Sequence, residues 1–196
     1  MGKIIKLISG RPRITGTAGK VANGLLFNVS WFAIILTQSS AVAVAITGVH
    51  LVVHFFLLGN GRAELKLIAI ITLVGVTLDQ LLFLAGVFNL AGKSVLAPLW
   101  LSCLWPVFAT TSMHAFSSLQ GRPLLASAIG AVGGALSYVA GTRLTEVEFG
   151  SPLWGPLVIG ALWAILFPLF LKLAAHLSTT SDPLQSWEPA VRRALD

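Results

Sequence analysis

The chain has 196 residues and a formal net charge of +6, from 13 Lys and Arg against 7 Asp and Glu. It is 56% hydrophobic and only 10% charged, whereas soluble domains carry roughly 25% charged residues. So few charges cannot cover a water-facing surface, which excludes an ordinary cytosolic enzyme, a disordered chain and a nucleic-acid-binding domain. The expected partners are membrane lipid and, as a further class, other membrane subunits, with no nucleic acid.

Six apolar stretches are long enough to cross a bilayer, whose hydrocarbon core of roughly 30 Å needs about 20 helical residues. In chain order they are Val21–Gln38, Ala41–Leu58, Ala63–Phe88, Val95–Leu119, Pro123–Thr142 and Leu153–His176. The connecting loops are short. The predicted fold is therefore all-α, an integral membrane bundle of six transmembrane helices, and no strands are expected.

The basic residues predict the orientation of this bundle, because cytoplasmic loops carry an excess of Lys and Arg. With the N-terminus in the cytoplasm, eleven Lys and Arg lie inside and only Lys93 and Arg143 lie outside. We therefore expect both termini to be cytoplasmic. Residues 1–20 form a basic N-terminal segment, 21–176 the transmembrane domain and 177–196 a polar tail. The alternative, a secretory signal cleaved after Ala41-Val42-Ala43, conflicts with a basic region of about 20 residues.

Polar residues inside the spans are informative, because charges at membrane depth are costly and usually face the bundle interior. Counting about 1.5 Å per residue along each span predicts two layers. The inner layer holds Asn28, His50, His54 and His114, of which His50 and His54 share one helix face. The outer layer holds Asp79, Gln80, Trp105 and Tyr138, with Arg143 at the outer mouth. Trp31 is deep enough to line a pocket or fill the core.

Asp79 is the only acidic residue deep inside a span, since Glu64 lies at the inner end of the third. Asp79 is interpreted either as a proton carrier, cation ligand or catalytic group, or as a structural carboxyl hydrogen-bonded to Tyr138, Gln80 or Arg143. His114 is the second catalytic candidate. A Ser–His–acid triad of Ser112 or Ser117 with these two lacks the Gly-x-Ser-x-Gly turn of known hydrolases.

The histidines are also candidate metal ligands, with His50, His54 and His114 as the predicted set. Zinc accepts such ligands and often keeps three protein groups and a water. The His-Glu-x-x-His pattern is absent, and Asp79 lies about 10 Å higher than His50 by the same rise per residue. The alternatives are hydrogen bonds across helices as polar packing and contacts to lipid or quinone. No nucleotide cofactor is expected, because no Gly-rich phosphate loop joins a strand to a helix.

The fifth predicted span carries small residues, among them Gly130-x-x-x-Gly134. Small residues let helix backbones approach closely. This face predicts tight packing inside the bundle, with dimerisation as the alternative.

The chain resembles a small bacterial integral-membrane family known only as a domain of unknown function, over about Asn23 to Ala174. The matching stretches are Asn28-Val29-Ser30-Trp31, Gly75–Asp79, Pro98-Leu99-Trp100-Leu101, Leu104-Trp105, His114–Leu119 and Gly130–Gly134 with Tyr138 and Gly141. The chain departs from the family at Gly134-Ala135, where Gly-Pro is usual, and at Thr145-Glu146, where Gly-Ala is usual.

The resemblance implies a multi-span protein of the bacterial inner membrane, with Asp79, Trp105, His114 and Tyr138 at the family's characteristic positions. Members are often encoded beside lipid-modifying enzymes of the cyclopropane-fatty-acid type. A fainter similarity runs to membrane hydrolases of the alkaline ceramidase type, which hold zinc between helices.

The favoured hypothesis is a lipid-handling or lipid-modification-associated membrane protein, with an intramembrane polar pocket of His50, His54, Asp79 and His114. Whether it is an enzyme stays open. The alternatives are a non-catalytic subunit or assembly factor of a larger complex and, with least support, a small transporter.

Overall fold

The structure is a computed structural model that describes residues 13–59, 61–90 and 96–180. The basic residues 1–12, Lys93 and most of the predicted polar tail lie outside the described residues. In chain order, the elements are α1 (Gly16–Thr37), α2 (Ser40–Leu57), α3 (Arg62–Leu84), β1 (Phe88–Leu90), α4 (Leu99–Ser102), α5 (Leu104–Ala109), a 3-10 turn (Ser117–Leu119), α6 (Pro123–Leu144), β2 (Val147–Phe149) and α7 (Trp154–Thr180).

Five helices in the described ranges, namely α1, α2, α3, α6 and α7, are long and apolar enough to cross a membrane. Their outward faces carry large apolar side chains: Val52 is 70% exposed, Leu73 71% and Leu124 86%. Such faces suit hydrocarbon rather than water, because soluble monomers rarely expose contiguous apolar surface of this extent. The helices are therefore compatible with a multi-pass membrane protein.

The fourth predicted span, Val95–Leu119, is not one continuous helix among its described residues. Helix α4 ends at Ser102, α5 ends at Ala109, and turns follow as far as the 3-10 turn. Pro106 has no N–H to donate to the Ser102 carbonyl, which accounts for the break between α4 and α5. The hydroxyl groups of Thr110 and Thr111 donate to the carbonyls of Val107 and Phe108, at 2.7 and 2.6 Å. These side-chain bonds compete with the helical ones and favour termination.

Two short strands connect the loops at one end of the bundle, so the expectation of no strands was wrong. β1 and β2 pair antiparallel, with Phe88 opposite Phe149 and Leu90 opposite Val147. The helices α3 and α6 both end here, and the apolar side chains of Phe88 and Val147 are buried, at 2% and 5% exposure. Buried loop backbone must find hydrogen-bond partners, and the two loops supply them to each other.

Helices α6 and α7 pack closely because α6 presents glycine to bulky residues of α7. A Cβ atom at Gly130 would stand 2.5 Å from the Trp163 carbonyl oxygen and 2.7 Å from the Phe167 Cβ. Trp163 in turn stacks on Trp105 of α5, with ring centroids 5.7 Å apart and planes 3° from parallel. The small face of α6 thus brings α7 against the interrupted segment that contains α4 and α5. This interrupted segment, called the broken segment below, lies at the centre of the bundle.

Candidate functional site

The carboxylate of Asp79 is held by two neutral hydrogen-bond donors in the core of the bundle. The Trp105 indole N–H donates to Oδ2 at 2.6 Å, and the Tyr138 hydroxyl donates to Oδ1 at 3.1 Å. Asp79 itself is 0% exposed. The three groups come from α3, α5 and α6, so this centre ties three elements together.

Asp79 also lines a cavity of about 320 Å³ that lies between α1, the broken segment, α6 and α7. Small-molecule sites in proteins begin at about this size. Most of the wall is aromatic or aliphatic. The wall includes Phe27, Asn28, Trp31, Phe32, Asp79, Trp105, Phe108, Phe116, Ile129, Gly133, Tyr138, Trp163 and Phe167.

The exposed residues of the cavity wall lie on α1 and α6, which puts the opening of the cavity between these two helices. Phe32 and Ile129 stand on its rim and are 49% and 38% exposed. Gly133, also on the rim, is exposed and has nothing within 4 Å of the position that a Cβ would take. At the end nearest the strands, the Glu146 N–H donates to Gln38 Oε1 at 2.9 Å and joins the two helices. The opening therefore faces the same surroundings as the apolar outer faces of the bundle.

The structure brings together several of the residues predicted for the outer layer. Asp79, Trp105 and Tyr138 line this cavity, as does Trp31. Gln80 instead exchanges hydrogen bonds with the backbone of Ala97.

Two further predicted pocket residues take different places. Asn28, predicted for the inner layer, lines the cavity, is exposed and donates to the Gly24 carbonyl at 2.8 Å. Its helix turns it away from the histidines. Arg143 is exposed in the last turn of α6 and is not one of the residues lining the cavity.

A second polar centre lies near the opposite end of α3. Glu64 Oε1 is 2.8 Å from His54 Nε2 and 2.8 Å from His114 Nε2. Glu64 and His54 are fully buried, and the His114 side chain is 15% exposed. The three potential ligand atoms lie within 4.8 Å of one another. Within the described ranges, this Glu64 centre is therefore a group of side chains close enough together that they could hold a metal ion.

Asn23 of α1 supports the Glu64 centre from the side. Its Nδ2 is 3.4 Å from His54 Nδ1 and donates to the Thr110 carbonyl, also at 3.4 Å. Its Oδ1 accepts from the Ala115 N–H at 3.2 Å. The amide thus fixes the His54 ring relative to the turns that carry His114.

His50 lies one turn from His54 but makes separate contacts. Its Nδ1 is 2.9 Å from the Ser30 hydroxyl, and its Nε2 is 3.1 Å from the Thr110 hydroxyl. The predicted metal set of His50, His54 and His114 stays a prediction. In the structure Glu64, rather than His50 or Asp79, contacts the other two histidines.

Asp79 and His114, the two predicted catalytic candidates, lie at different centres. Asp79 follows Glu64 by 15 residues on the same helix, which corresponds to about 22 Å along its axis. The acid that contacts His114 is Glu64. The hydroxyl of Ser117 donates to the His114 carbonyl at 2.8 Å, so a triad of Ser117, His114 and Asp79 is not assembled.

Sequence reasoning missed three residues of the inner region, Asn23, Ser30 and Glu64. Glu64 was set aside as a helix-end residue, although only four residues separate α2 from α3 and place it beside His54. Asn23 and Ser30 are seven residues apart and therefore share one face of α1. That spacing was the feature of the sequence that indicates which face of α1 contacts the histidines.

Comparison with known proteins gives one result. A family model described as "Protein of unknown function (DUF2878)" matches residues 20–169. No curated protein matches the chain, and no solved structure matches it.

Proposed function

The chain belongs to the DUF2878 family, and on that premise we propose that it is a lipid-binding protein of the bacterial inner membrane. The occupant is a membrane lipid that enters the cavity between α1 and α6 from the side. The observation that carries the proposal is this cavity, with its apolar wall, its lateral opening and the single carboxylate of Asp79 at depth.

The proposal includes six crossings, the fourth being made by the broken segment. Ala97 contacts Gln80, and His114 contacts Glu64. Between residues 97 and 114 the chain therefore runs alongside α3 from residue 80 back to residue 64, which is a distance of about 24 Å along the helix axis. A segment that starts beside β1 and ends beside the start of α3 traverses the bundle. With it, both termini lie on one side.

The charge distribution supports a cytoplasmic location for that side. Among the described residues, six basic side chains lie near the end where α1, α3 and α6 begin, and Arg143 lies at the other end. The six are Arg13, Lys20, Arg62, Lys66, Arg122 and Lys172. This asymmetry is that of cytoplasmic flanks.

Cysteine labelling tests the topology. Cys103 is the single cysteine and is buried, so a Cys103→Ser background accepts new reporter cysteines. We expect a membrane-impermeant maleimide added to intact cells to label Glu148→Cys but not Gly121→Cys. Labelling of both sites in lysed cells is the control. Labelling of Gly121→Cys in intact cells contradicts the orientation, and opposite sidedness of residues 13–15 and 180 contradicts six crossings.

The cavity wall suits an acyl chain. Phe27, Phe108 and Phe167 provide apolar surface, and burying such surface is favourable by roughly 25 cal/mol per Å² when the competing state is hydrated. In a bilayer that gain shrinks, because lipid tails are themselves apolar. Shape and the polar group at depth must therefore supply the preference for one lipid over bulk lipid.

Asp79 supplies that polar group. A carboxylate has about four acceptor positions on its two oxygens, and Trp105 and Tyr138 use two of them. Asp79 is 0% exposed, so a hydroxyl or amino group of the bound lipid can use a third position once the neighbouring side chains of the cavity wall shift. The proposed ligand is therefore a lipid that carries a hydrogen-bond donor, bound with its chain against the aromatic wall.

Native mass spectrometry tests the binding. The full chain is released from its own membrane, and the retained lipid is identified by mass. Gly133→Phe places an aromatic ring on the rim, at a position where a Cβ atom meets nothing within 4 Å. We expect it to reduce the lipid-bound fraction at least tenfold.

The matched control is Gly48→Phe. Gly48 lies on the exposed face of α2, also has nothing within 4 Å, and does not line the cavity. This variant should retain lipid like the wild type. Equal retention by both variants contradicts the proposal. A stable protein partner in the same spectra, with no lipid, favours a non-catalytic subunit instead.

A further inference from the structure

We propose that the Glu64 centre, comprising His54, Glu64 and His114, binds one divalent transition-metal ion. The site is separate from the proposed lipid cavity, because none of these three residues lines it among the described residues. The family's description names no metal.

The geometry is the first support. The three side chains come from the last turn of α2, the first turn of α3 and the turns after α5. Glu64 follows His54 by 10 residues and precedes His114 by 50, and the three ligand atoms lie within 4.8 Å of one another. Glu64 Oε1 is equidistant from the two Nε2 atoms at 2.8 Å. Small outward movements of these groups would bring all three to about 2.0–2.2 Å of a common ion.

The donor set selects the class of ion. Two imidazole nitrogens and one carboxylate form the His₂Glu set of catalytic zinc sites, which leave a further position for water or substrate. Calcium and magnesium prefer oxygen ligands throughout, so they fit poorly here. Imidazole suits zinc, copper, iron and nickel. Zinc is therefore the ion to use first in a binding experiment.

Burial supports the same conclusion. Glu64 and His54 are 0% exposed, and an ionised carboxylate in such a place must be paired or must coordinate a metal. The partial exposure of His114, 15% of its side chain, leaves one side through which an ion can arrive.

Asn23 is the positioning residue of this site. A histidine that binds metal through Nε2 carries its proton on Nδ1 and donates it to an acceptor. Asn23 Nδ2 now faces that nitrogen, as suits a ring whose Nε2–H donates to Glu64. Metal binding then requires the proton to leave Nε2 and the Asn23 amide to turn its oxygen toward Nδ1, which breaks its hydrogen bonds to the Thr110 carbonyl and the Ala115 N–H. Asn23→Asp supplies the acceptor permanently and should tighten binding about tenfold, the lower end of typical effects of such outer partners.

Zinc titration tests the proposal. The full chain is purified in detergent through a tag without histidine, stripped with a chelator, and titrated with zinc against a competing chromophoric chelator. The wild type should bind one ion per chain. Glu64→Gln and His114→Asn should each weaken binding at least tenfold, and Asn23→Asp should strengthen it.

His50→Asn is the matched control for His54→Asn. Both positions are buried on one face of α2, and their rings are 6.2 Å apart, but His50 contacts Ser30 and Thr110 instead of Glu64. His50→Asn should therefore leave zinc affinity unchanged.

Cobalt in place of zinc gives a visible spectrum that should change in Glu64→Gln, which a merely structural role would not produce.

Absence of stoichiometric zinc in the wild type overturns the proposal, as does equal weakening by His50→Asn and His54→Asn. If His54→Asn fails to fold, His114→Asn on the partly exposed turn carries the same test. Because the lipid variants at Gly133 and Gly48 do not touch this centre, either proposal can fail without the other.

Discussion

Two carboxylates on one helix have opposite surroundings. Asp79 receives hydrogen bonds from an indole and a phenol and lines a cavity that opens to the side. Glu64 is bracketed by two imidazoles and is closed off from that cavity. Neutral donors leave a carboxylate with acceptor positions for a ligand, whereas two histidines create a set of converging ligands. Position along α3 therefore separates the carboxylate of the proposed lipid cavity from the carboxylate of the proposed metal site.

The largest expected effect comes from removing the acid of the Glu64 centre. Glu64→Leu deletes the shared partner of His54 and His114 and leaves one buried and one partly exposed imidazole without it. Breaking a buried pair in this way costs about 3–5 kcal/mol, and we expect about 3 kcal/mol in the free energy of unfolding. Reversible unfolding in mixed micelles measures it. A loss below about 1 kcal/mol, which is typical of an exposed ion pair, would contradict the description of Glu64 as a buried carboxylate shared by two imidazoles.

Gly75 provides a test on the Asp79 side. A Cβ atom there would collide with the Trp105 indole ring, so Gly75→Ala must displace the ring that donates to Asp79. Overpacking of this kind costs about 1–3 kcal/mol. The expected result is destabilisation by about 2 kcal/mol together with a changed Trp fluorescence spectrum.

The control for Gly75→Ala is Gly48→Ala on the exposed face of α2. No atom stands within 4 Å of its Cβ position, and replacing a helical glycine by alanine stabilises by about 0.5–1 kcal/mol. If Gly75→Ala and Gly48→Ala change the free energy of unfolding in the same direction, the result contradicts a close contact between α3 and the Trp105 indole.

The smallest predicted effect is at Tyr138. Tyr138→Phe removes one donor from Asp79 but leaves the indole bond in place, so we expect a loss of about 1 kcal/mol, typical of one hydrogen bond. In a double-mutant cycle with Asp79→Ala, which removes both acceptor oxygens, the coupling energy should be about 0.6 kcal/mol or more, the average for such pairs in membrane proteins. Strictly additive losses would refute a direct bond.

Hydropathy was sufficient to find the long helices, because an apolar run of about 20 residues matches the thickness of a bilayer and is rare in soluble domains. It failed in the fourth segment, where Pro106 and the threonine hydroxyls interrupt the helix despite its apolar composition. It also missed the strand pair, since Phe88 and Phe149 meet only after α3 and α6 end at the same place.

Counting residues along each span predicted the depth of each side chain in the membrane but not the direction in which it faces around the helix axis. Depth brought Asp79, Trp105 and Tyr138 to one level, whereas Asn28 and Asn23 are a little more than one turn apart and face different regions. The sequence places Glu64 at the inner end of the third span, and this position does not by itself predict burial. Its burial depends on turns after α5 that fold back over the start of α3, which no local pattern in the sequence reveals.

The most direct test of lipid binding is photocrosslinking of lipid that survives purification. Cells are supplied with a photoactivatable fatty acid, the protein is extracted and delipidated in detergent, and the retained lipid is crosslinked and mapped by peptide mass spectrometry. We expect adducts on Phe108, Phe116 and Trp105, which line the cavity. Adducts confined to outward residues such as Val52 and Leu169, which are 70% and 54% exposed, would contradict this expectation.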